Sequence, residues 1–184
     1  IRAFAALRVR VPSILLRLIP TGSSNPRARS SGRREEQTSV RIRAAVDADI
    51  PEIHRVRMSV RENVLLDPDS IGHDDTRDMI GRRGKGWVCE VGGRIVGFAV
   101  ADRIAANVWA LFVEPGYEGR GIGSLLHETM LDWLFESGIS TVWLSTDPNT
   151  RAECFYQNAS WQYVGRESNG EARYEMSREI WQER

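Results

Sequence analysis

From Val40 onward, apolar and polar residues fall into runs whose period switches between two and about 3.6, and each switch marks the border of an element. Val40-Arg-Ile-Arg-Ala44 alternates as a half-buried strand does. Asp47 stands where a helix N-cap is expected, ahead of Ile50, Ile53, Val56 and Val60 at helical spacing. A second helix is predicted from about Asp74 to Arg82, closed by Gly84 and Gly86. Trp87–Val91 and Arg94–Asp102 read as strands joined by a tight Gly92-Gly93 turn. Asn107–Val113 is a further strand, ended by Glu114-Pro115-Gly116. The next helix carries Ile122, Leu125, Leu126, Met130, Trp133 and Leu134 as its apolar stripe, and Gly138 stops it. Thr141–Ser145 reads as a buried strand, Asn149–Ala159 as a short helix, and Trp161–Gly165 and Ala172–Ser177 as closing strands. No internal repeat interrupts this order, which is that of a mixed α/β domain.

Composition narrows the picture. A chain of 184 residues suits one domain, and 41% hydrophobic with 27% charged residues is ordinary for a globular protein. The formal net charge of +0 hides an asymmetry, because eight arginines and no acid lie between Ile1 and Arg34. The remainder holds 17 basic against 25 acidic residues and so carries −8. Such a domain disfavours nucleic acid, which needs clustered Lys and Arg, and mildly favours a cationic substrate such as an amine. Residues 1–38 are expected to be a disordered Arg-rich leader, read either as an organelle transit peptide or, the favoured reading, as a start-site artefact. Residues 39–184 are expected to form one domain. Cys89 and Cys154 have no neighbour at metal-ligand spacing, which speaks against a zinc site or a disulfide framework and for a reducing, cytoplasmic setting. No uncharged apolar run approaches the roughly 20 residues of a membrane helix, so no membrane partner is expected.

The candidate chemistry begins at Glu118-Gly119-Arg120-Gly121-Ile122-Gly123-Ser124, between a predicted strand and a predicted helix. That arrangement makes an anion site, since free N–H groups at a helix start converge on a phosphate and the helix dipole adds positive charge. Glycines let the backbone approach and supply φ > 0 where it is needed, and Ser124 adds a hydroxyl. Two other glycine motifs do not fit. A P-loop requires Lys and then Ser or Thr after its second glycine, where Ile122 or Ser124 stands. A dinucleotide fingerprint requires glycine at 124 or 126, where Ser124 and Leu126 stand. On these residues alone, a glycine turn that merely lets a helix pack on a strand is the plainer alternative.

Here the chain resembles the GNAT superfamily of acyl-CoA-dependent N-acyltransferases. Ala110–Leu126 resembles the family's central strand, pyrophosphate loop and following helix. Asn149-Thr-Arg-Ala-Glu-Cys-Phe-Tyr-Gln-Asn-Ala-Ser-Trp161 is similar to the downstream N-x-x-A-x-x-F-Y-x-x-x-G-F signature, with Ser160 at the glycine and Trp161 at the last phenylalanine. The likeness covers about Val40 to the C-terminus. One departure stands out: the family loop commonly opens with Gln or Arg, and this chain has Glu118. A carboxylate beside pyrophosphate repels it by roughly 1 kcal/mol at close range. The side chain is therefore expected to face solvent, with Arg120 offsetting its charge.

The resemblance implies the GNAT fold, an α/β fold of α+β type. Its central, mostly antiparallel sheet of about six or seven strands splays between the fourth and fifth strands and is flanked by about four helices. It also implies transfer of an acetyl group from acetyl-CoA to a primary amine of a small molecule or peptide, by direct attack in a ternary complex and without a metal. A non-catalytic acyl-CoA-binding sensor of the same fold is the alternative. Main-chain groups of Leu111, Phe112 and Val113 would hold the pantetheine arm and stabilise the developing oxyanion. The loop from Glu118 to Ser124 would hold the pyrophosphate. Asn149 would bond the cofactor or cap its helix, and Tyr156 would be the general acid toward the departing thiolate. The base is open: Glu90 is the first candidate, ahead of Asp102, Glu114 and a water chain. His54, His73 and His127 are expected at the surface, and Cys154 is disfavoured as a covalent nucleophile. Residues 57–86 would recognise the acceptor. A homodimer is compatible with the family habit, though no residue demonstrates it.

Overall fold

The computed structural model describes residues 4–5, 39–62 and 71–184. The predicted leader, apart from residues 4–5, and most of the Arg61–Asp67 stretch thus lie outside the described residues. Seven strands form one sheet: β1 (Val40–Ala44), β2 (Gly84–Val91), β3 (Arg94–Asp102), β4 (Asn107–Val113), β5 (Thr141–Thr146), β6 (Gln162–Arg166) and β7 (Ala172–Ser177). Their spatial order is β1-β2-β3-β4-β5-β7-β6, antiparallel throughout except for the parallel β4–β5 pair. The two-residue stretch Phe4–Ala5 pairs in parallel with Ala110 and Leu111 of β4. Five helices flank the sheet: α1 (Ile50–Ser59), α2 (His73–Asp78), α3 (Ile122–Glu136), α4 (Arg151–Asn158) and α5 (Arg178–Gln182). Among the described residues, no helix is long and apolar enough to cross a membrane.

Two apolar clusters cover the two faces. On one face α1 and the π turn that follows α2 bury Ile50, Ile53, Val56, Met79 and Ile80 against Val88, Phe98, Trp109 and Phe112. On the other, α3 and α4 bury Ile122, Leu126, Met130, Leu134, Phe155 and Tyr156 against Cys89, Val96, Leu111 and Leu144. Residues of one strand divide between the clusters by turns, as the period of two requires.

Several local expectations need correction. Asp47 is not a cap: it opens a short 3-10 turn (Asp47–Asp49), and the carboxylate of Asp49 takes the Val46 N–H instead, at 2.9 Å. Helix α2 runs on through a π turn, Met79–Arg83, and ends before Gly84 and Gly86, which belong to β2. Gly84 lies against β3, and a Cβ there would fall 1.7 Å from the Ala101 carbonyl oxygen. Leu125, placed in the apolar stripe of α3, is exposed. The closing helix α5 follows the Ser177 side-chain cap and was not foreseen.

His127 is the largest departure. It is 1% exposed, packed edge-on against Phe155 at 5.3 Å, and its Nε2 accepts the Trp161 Nε1–H at 3.0 Å. An accepting Nε2 requires the neutral ring, and burial, helped by the charge of Arg184, pushes its pKa down to about 3. The unfolded ring titrates near ~6.5. Between those values the unfolded chain binds a proton that the folded chain refuses, so stability is full above 6.5 and falls as pH drops. Urea unfolding at pH 7.5 and pH 5 should show a loss of about 1.4 kcal/mol per pH unit below 6.5 from this ring. His127→Gln should remove that increment, and an equal loss in the variant would contradict the assignment.

Ser160 adopts φ +65°, the left-handed region that a glycine would occupy without strain. Its Oγ-bearing side chain is exposed, so only the backbone matters. Ser160→Gly should raise the urea midpoint, with a gain of up to about 1 kcal/mol once the extra freedom of the unfolded glycine is subtracted. An unchanged or lower midpoint would count against strain at this turn.

Candidate active site

Strands β4 and β5 meet at one register pair only, Asn107 with Trp143. Three hydrogen bonds pin that point: Asn107 Nδ2–H to the Trp143 carbonyl (3.1 Å), Trp143 N–H to the Ala106 carbonyl (3.0 Å) and Trp143 Nε1–H to the Ala105 carbonyl (2.9 Å). Beyond it the strands diverge, and a bulge gives the reason. Ala101 of β3 pairs with Val108 and Val100 with Ala110, so Trp109 is an extra residue on β4. Bulges bend and twist the strand that carries them. The β4 edge facing β5 is thereby left open for an extended chain, and Phe4–Ala5 lies along its Ala110–Leu111 part.

Three buried polar atoms on the residues around this divergence have no hydrogen-bond partner among the described residues: Trp109 Nε1, Thr146 Oγ1 and the Tyr156 hydroxyl. An unpaired buried polar group costs about 1–3 kcal/mol, a cost that persists where a ligand is to supply the partner. Tyr156 sits on α4 in the same packed cluster as Leu111, Val113 and Ile122, with Trp161 edge-on at 5.5 Å. Burial raises its phenol well above the usual range, so it keeps its proton at neutral pH.

The glycine loop leads from the end of β4 into α3. Gly119 and Gly121 hold φ +73° and +79°, and Gly121 is the N-cap of α3 with no side-chain hydrogen bond to the helix. No side chain among the described residues therefore covers the first N–H groups of α3, those of Ile122, Gly123 and Ser124. Gly116, Gly119 and Gly121 have open space where a Cβ would stand, which leaves the approach to the helix end clear. These residues fit a pyrophosphate. Arg120 stacks on the Tyr117 ring at 5.0 Å and donates to the Gly116 carbonyl at 3.0 Å.

Glu118 takes a part that its sequence position did not suggest. It accepts two hydrogen bonds from Arg151, at 3.1 and 3.2 Å, and Arg151 also binds Glu62 at 2.6 Å. The carboxylate is thus neutralised by α4 rather than by Arg120 or solvent. Asn149 precedes α4 at φ +62°, which asparagine tolerates, and is exposed. It does not cap the helix: Thr150 does, accepting the Glu153 N–H at 3.2 Å.

Each of the three candidate bases is paired with arginine, although Glu114 Oε2 is buried without a partner among the described residues. Glu90 accepts from Arg43 at 2.8 Å, and the same guanidinium binds Asp49 at 2.6 Å. Asp102 takes Arg83 and the N–H groups of Ile104 and Ala105. Glu114 takes Arg55 and Arg94. Each carboxylate is held by guanidinium as a structural ion pair, and the structure does not bring Glu90 together with Tyr156. A different acid was missed by sequence reading. Glu171, in the turn before β7, is buried and accepts the Ser145 Oγ–H at 2.6 Å. Its place in a Ser-Asn-Gly-Glu turn carries no signal of burial. Among the described residues, no group of three or more His, Cys, Asp or Glu is arranged to hold a metal ion.

Known proteins share this layout. Residues 50–160 match the model of the acetyltransferase (GNAT) family. An uncharacterized N-acetyltransferase of Methanocaldococcus jannaschii is 31% identical over 87 residues, 41% of this chain and 38% of the relative. A ribosomal-protein-alanine N-acetyltransferase of Haemophilus influenzae is 29% identical over 73 residues, 39% of this chain and 50% of the relative. The chain thus spans half or less of the length of these curated relatives. The crystal structure of the PaiA N-acetyltransferase from Thermoplasma acidophilum, in complex with coenzyme A, superposes with a TM-score of 0.66 at 16% identity, covering 76% of this chain and 99% of that one. The bulged and splayed sheet, the uncapped glycine loop and the matched residues have one conclusion: the chain belongs to the acetyltransferase (GNAT) family.

Proposed function

We propose that this chain transfers an acetyl group from acetyl-CoA to a primary amine, by direct attack with both substrates bound. The observation that carries the reading is the set of unpaired polar groups around the β4–β5 divergence, next to an uncapped helix start. Acetyl-CoA supplies an activated acyl thioester and a pyrophosphate. The N–H groups of Ile122, Gly123 and Ser124 receive the pyrophosphate, within the loop from Glu118 to Ser124. Main-chain groups of Leu111, Phe112 and Val113 line the open β4 edge and hold the pantetheine arm as an added strand. The arm and Phe4–Ala5 call on the same groups at Ala110 and Leu111 and exclude each other there. Tyr156, protonated through burial, supplies the proton that the departing sulfur needs. Arg151 has an indirect part, because it keeps the Glu118 carboxylate turned to α4 and away from the phosphate site. Glu90 is not the base in this reading, since it is spent on Arg43.

Release of free CoA from acetyl-CoA over a panel of primary amines tests the reading. Tyr156→Phe should lower kcat by about a hundredfold or more while CoA affinity stays nearly unchanged. Equal losses in both would contradict its role as acid. Gly121→Ala should do the reverse, weakening CoA by about tenfold through strain at positive φ while kcat at saturation holds. CoA binding without turnover on any amine would favour the non-catalytic acyl-CoA-binding module instead.

A further inference from the structure

We propose that Glu171 is the docking group for the ammonium of the acceptor and the first acceptor of its proton. The proton-transfer part rests on the acyl-transfer reading above, and the docking part does not. Asp49, Asp102 and Glu171 are the buried carboxylate residues among those described. Arg43 matches Asp49 and Arg83 matches Asp102. Glu171 forms no ion pair among the described residues; its Oε2 takes only the Ser145 hydroxyl. Its backbone is fixed on both sides, with its N–H donating to Asn169 Oδ1 (3.1 Å) and its carbonyl accepting the Glu167 N–H (2.8 Å). Arg173, on the adjoining strand, is committed elsewhere: it lies over the Trp143 ring at 4.3 Å and binds Glu167 and Glu175. A carboxylate withdrawn from water and lacking a cation is a demand for one.

Position says which cation. Ser145 lies two residues beyond Trp143, the last β5 residue paired with β4, so Glu171 stands at the mouth of the divergence. Val142 and Leu144 face α3, which puts Ser145 on the α1/α2 side of the sheet. Trp109, two residues beyond Asn107 on the other arm, buries its ring on that same side and leaves Nε1 without a partner. Tyr156 packs on the opposite side. An amine held at Glu171 therefore enters the gap from one face while the proton donor stands on the other. Primary amines are ammonium ions at neutral pH, with a pKa near ~10.4, so the acceptor arrives as the missing countercharge. One N–H bond breaks with its electron pair left on nitrogen, and the Glu171 oxygen takes that proton. The nitrogen pair then bonds to the acyl carbon, and the C–S bond breaks with its pair on sulfur. Tyr156 gives sulfur a proton and regains the second one shed by nitrogen; Glu171 returns its own to water.

The full chain should be titrated by calorimetry and NMR with n-butylamine, 1,4-diaminobutane and a tripeptide amide with a free N-terminus, and with n-butanol as the neutral control. At least one amine should bind and butanol should not. Glu171→Gln should weaken that amine at least tenfold with CoA affinity unchanged, Glu171→Asp should recover part of the loss, and Ser145→Ala should give a smaller one. Thermal melting checks that each variant folds. Unchanged amine affinity in Glu171→Gln, equal binding of butanol, or no amine bound by the wild type would overturn the docking assignment. Amine binding that depends on Glu171 without any turnover would uphold docking and sink the acyl-transfer reading. Turnover with a KM for amine and a kcat unmoved by Glu171→Gln would do the opposite.

Discussion

The extra residue at Trp109 is the constraint on which the middle of this molecule depends. A strand with strict alternation would keep pairing with β5, and the sheet would close. With Trp109 inserted, Ala101 pairs with Val108 and Val100 with Ala110, and β4 turns away after Asn107. The side chains record the shift: Val108 belongs to the α3 side, Trp109 and Ala110 both to the α1/α2 side, and Leu111 returns to the first. The result is a divergence between β4 and β5, where Phe4–Ala5 lies along Ala110 and Leu111 and where Trp109 Nε1, Thr146 Oγ1 and the Tyr156 hydroxyl have no partner among the described residues. A thioester along β4 and an amine from the α1/α2 side would meet nowhere else.

The ion pairs of this domain fix loops and edges more than they add stability. Arg151 ties Glu118 of the glycine loop and Glu62 beyond α1 to the first turn of α4. Partly exposed pairs of this kind contribute about 0–1 kcal/mol each, so their value lies in position. Arg43 holds Glu90 and Asp49 together in the same manner, joining the β1–β2 edge to the start of α1. Against that background of matched carboxylates, Glu171 is conspicuous for having a hydroxyl in place of a guanidinium.

Much of the fold was legible because the relevant signals are local. Gly92-Gly93 makes the β2–β3 hairpin, both residues at positive φ, and Gly138 ends α3 at φ +94°. The strand–glycine loop–helix order around Gly119 and Gly121 was legible too, and those residues hold positive φ at a helix start without a side-chain cap. What was not legible depends on tertiary pairing. The bulge at Trp109 shows only in the register with β3, since Asn107–Val113 is apolar on both faces and has no readable alternation. His127 has the spacing of a polar helix residue, and only Trp161, thirty-four positions away, makes it a core group. Glu90 alternates as a cleft residue would, yet Arg43 on the neighbouring strand claims it. The turn that buries Glu171 reads as a solvated loop until Ser145 is set opposite it.

The central proposal is that the β4 edge and the start of α3 together hold one elongated ligand, coenzyme A or its acetyl thioester. Backbone amide shifts of isotope-labelled protein during titration with CoA test it most directly. The account predicts saturable shifts in one binding event at Ile122, Gly123 and Ser124 and, together with them, at Leu111, Phe112 and Val113. Saturation with residues 122–124 unmoved, or with shifts confined to the far side of the sheet around β1, would contradict it.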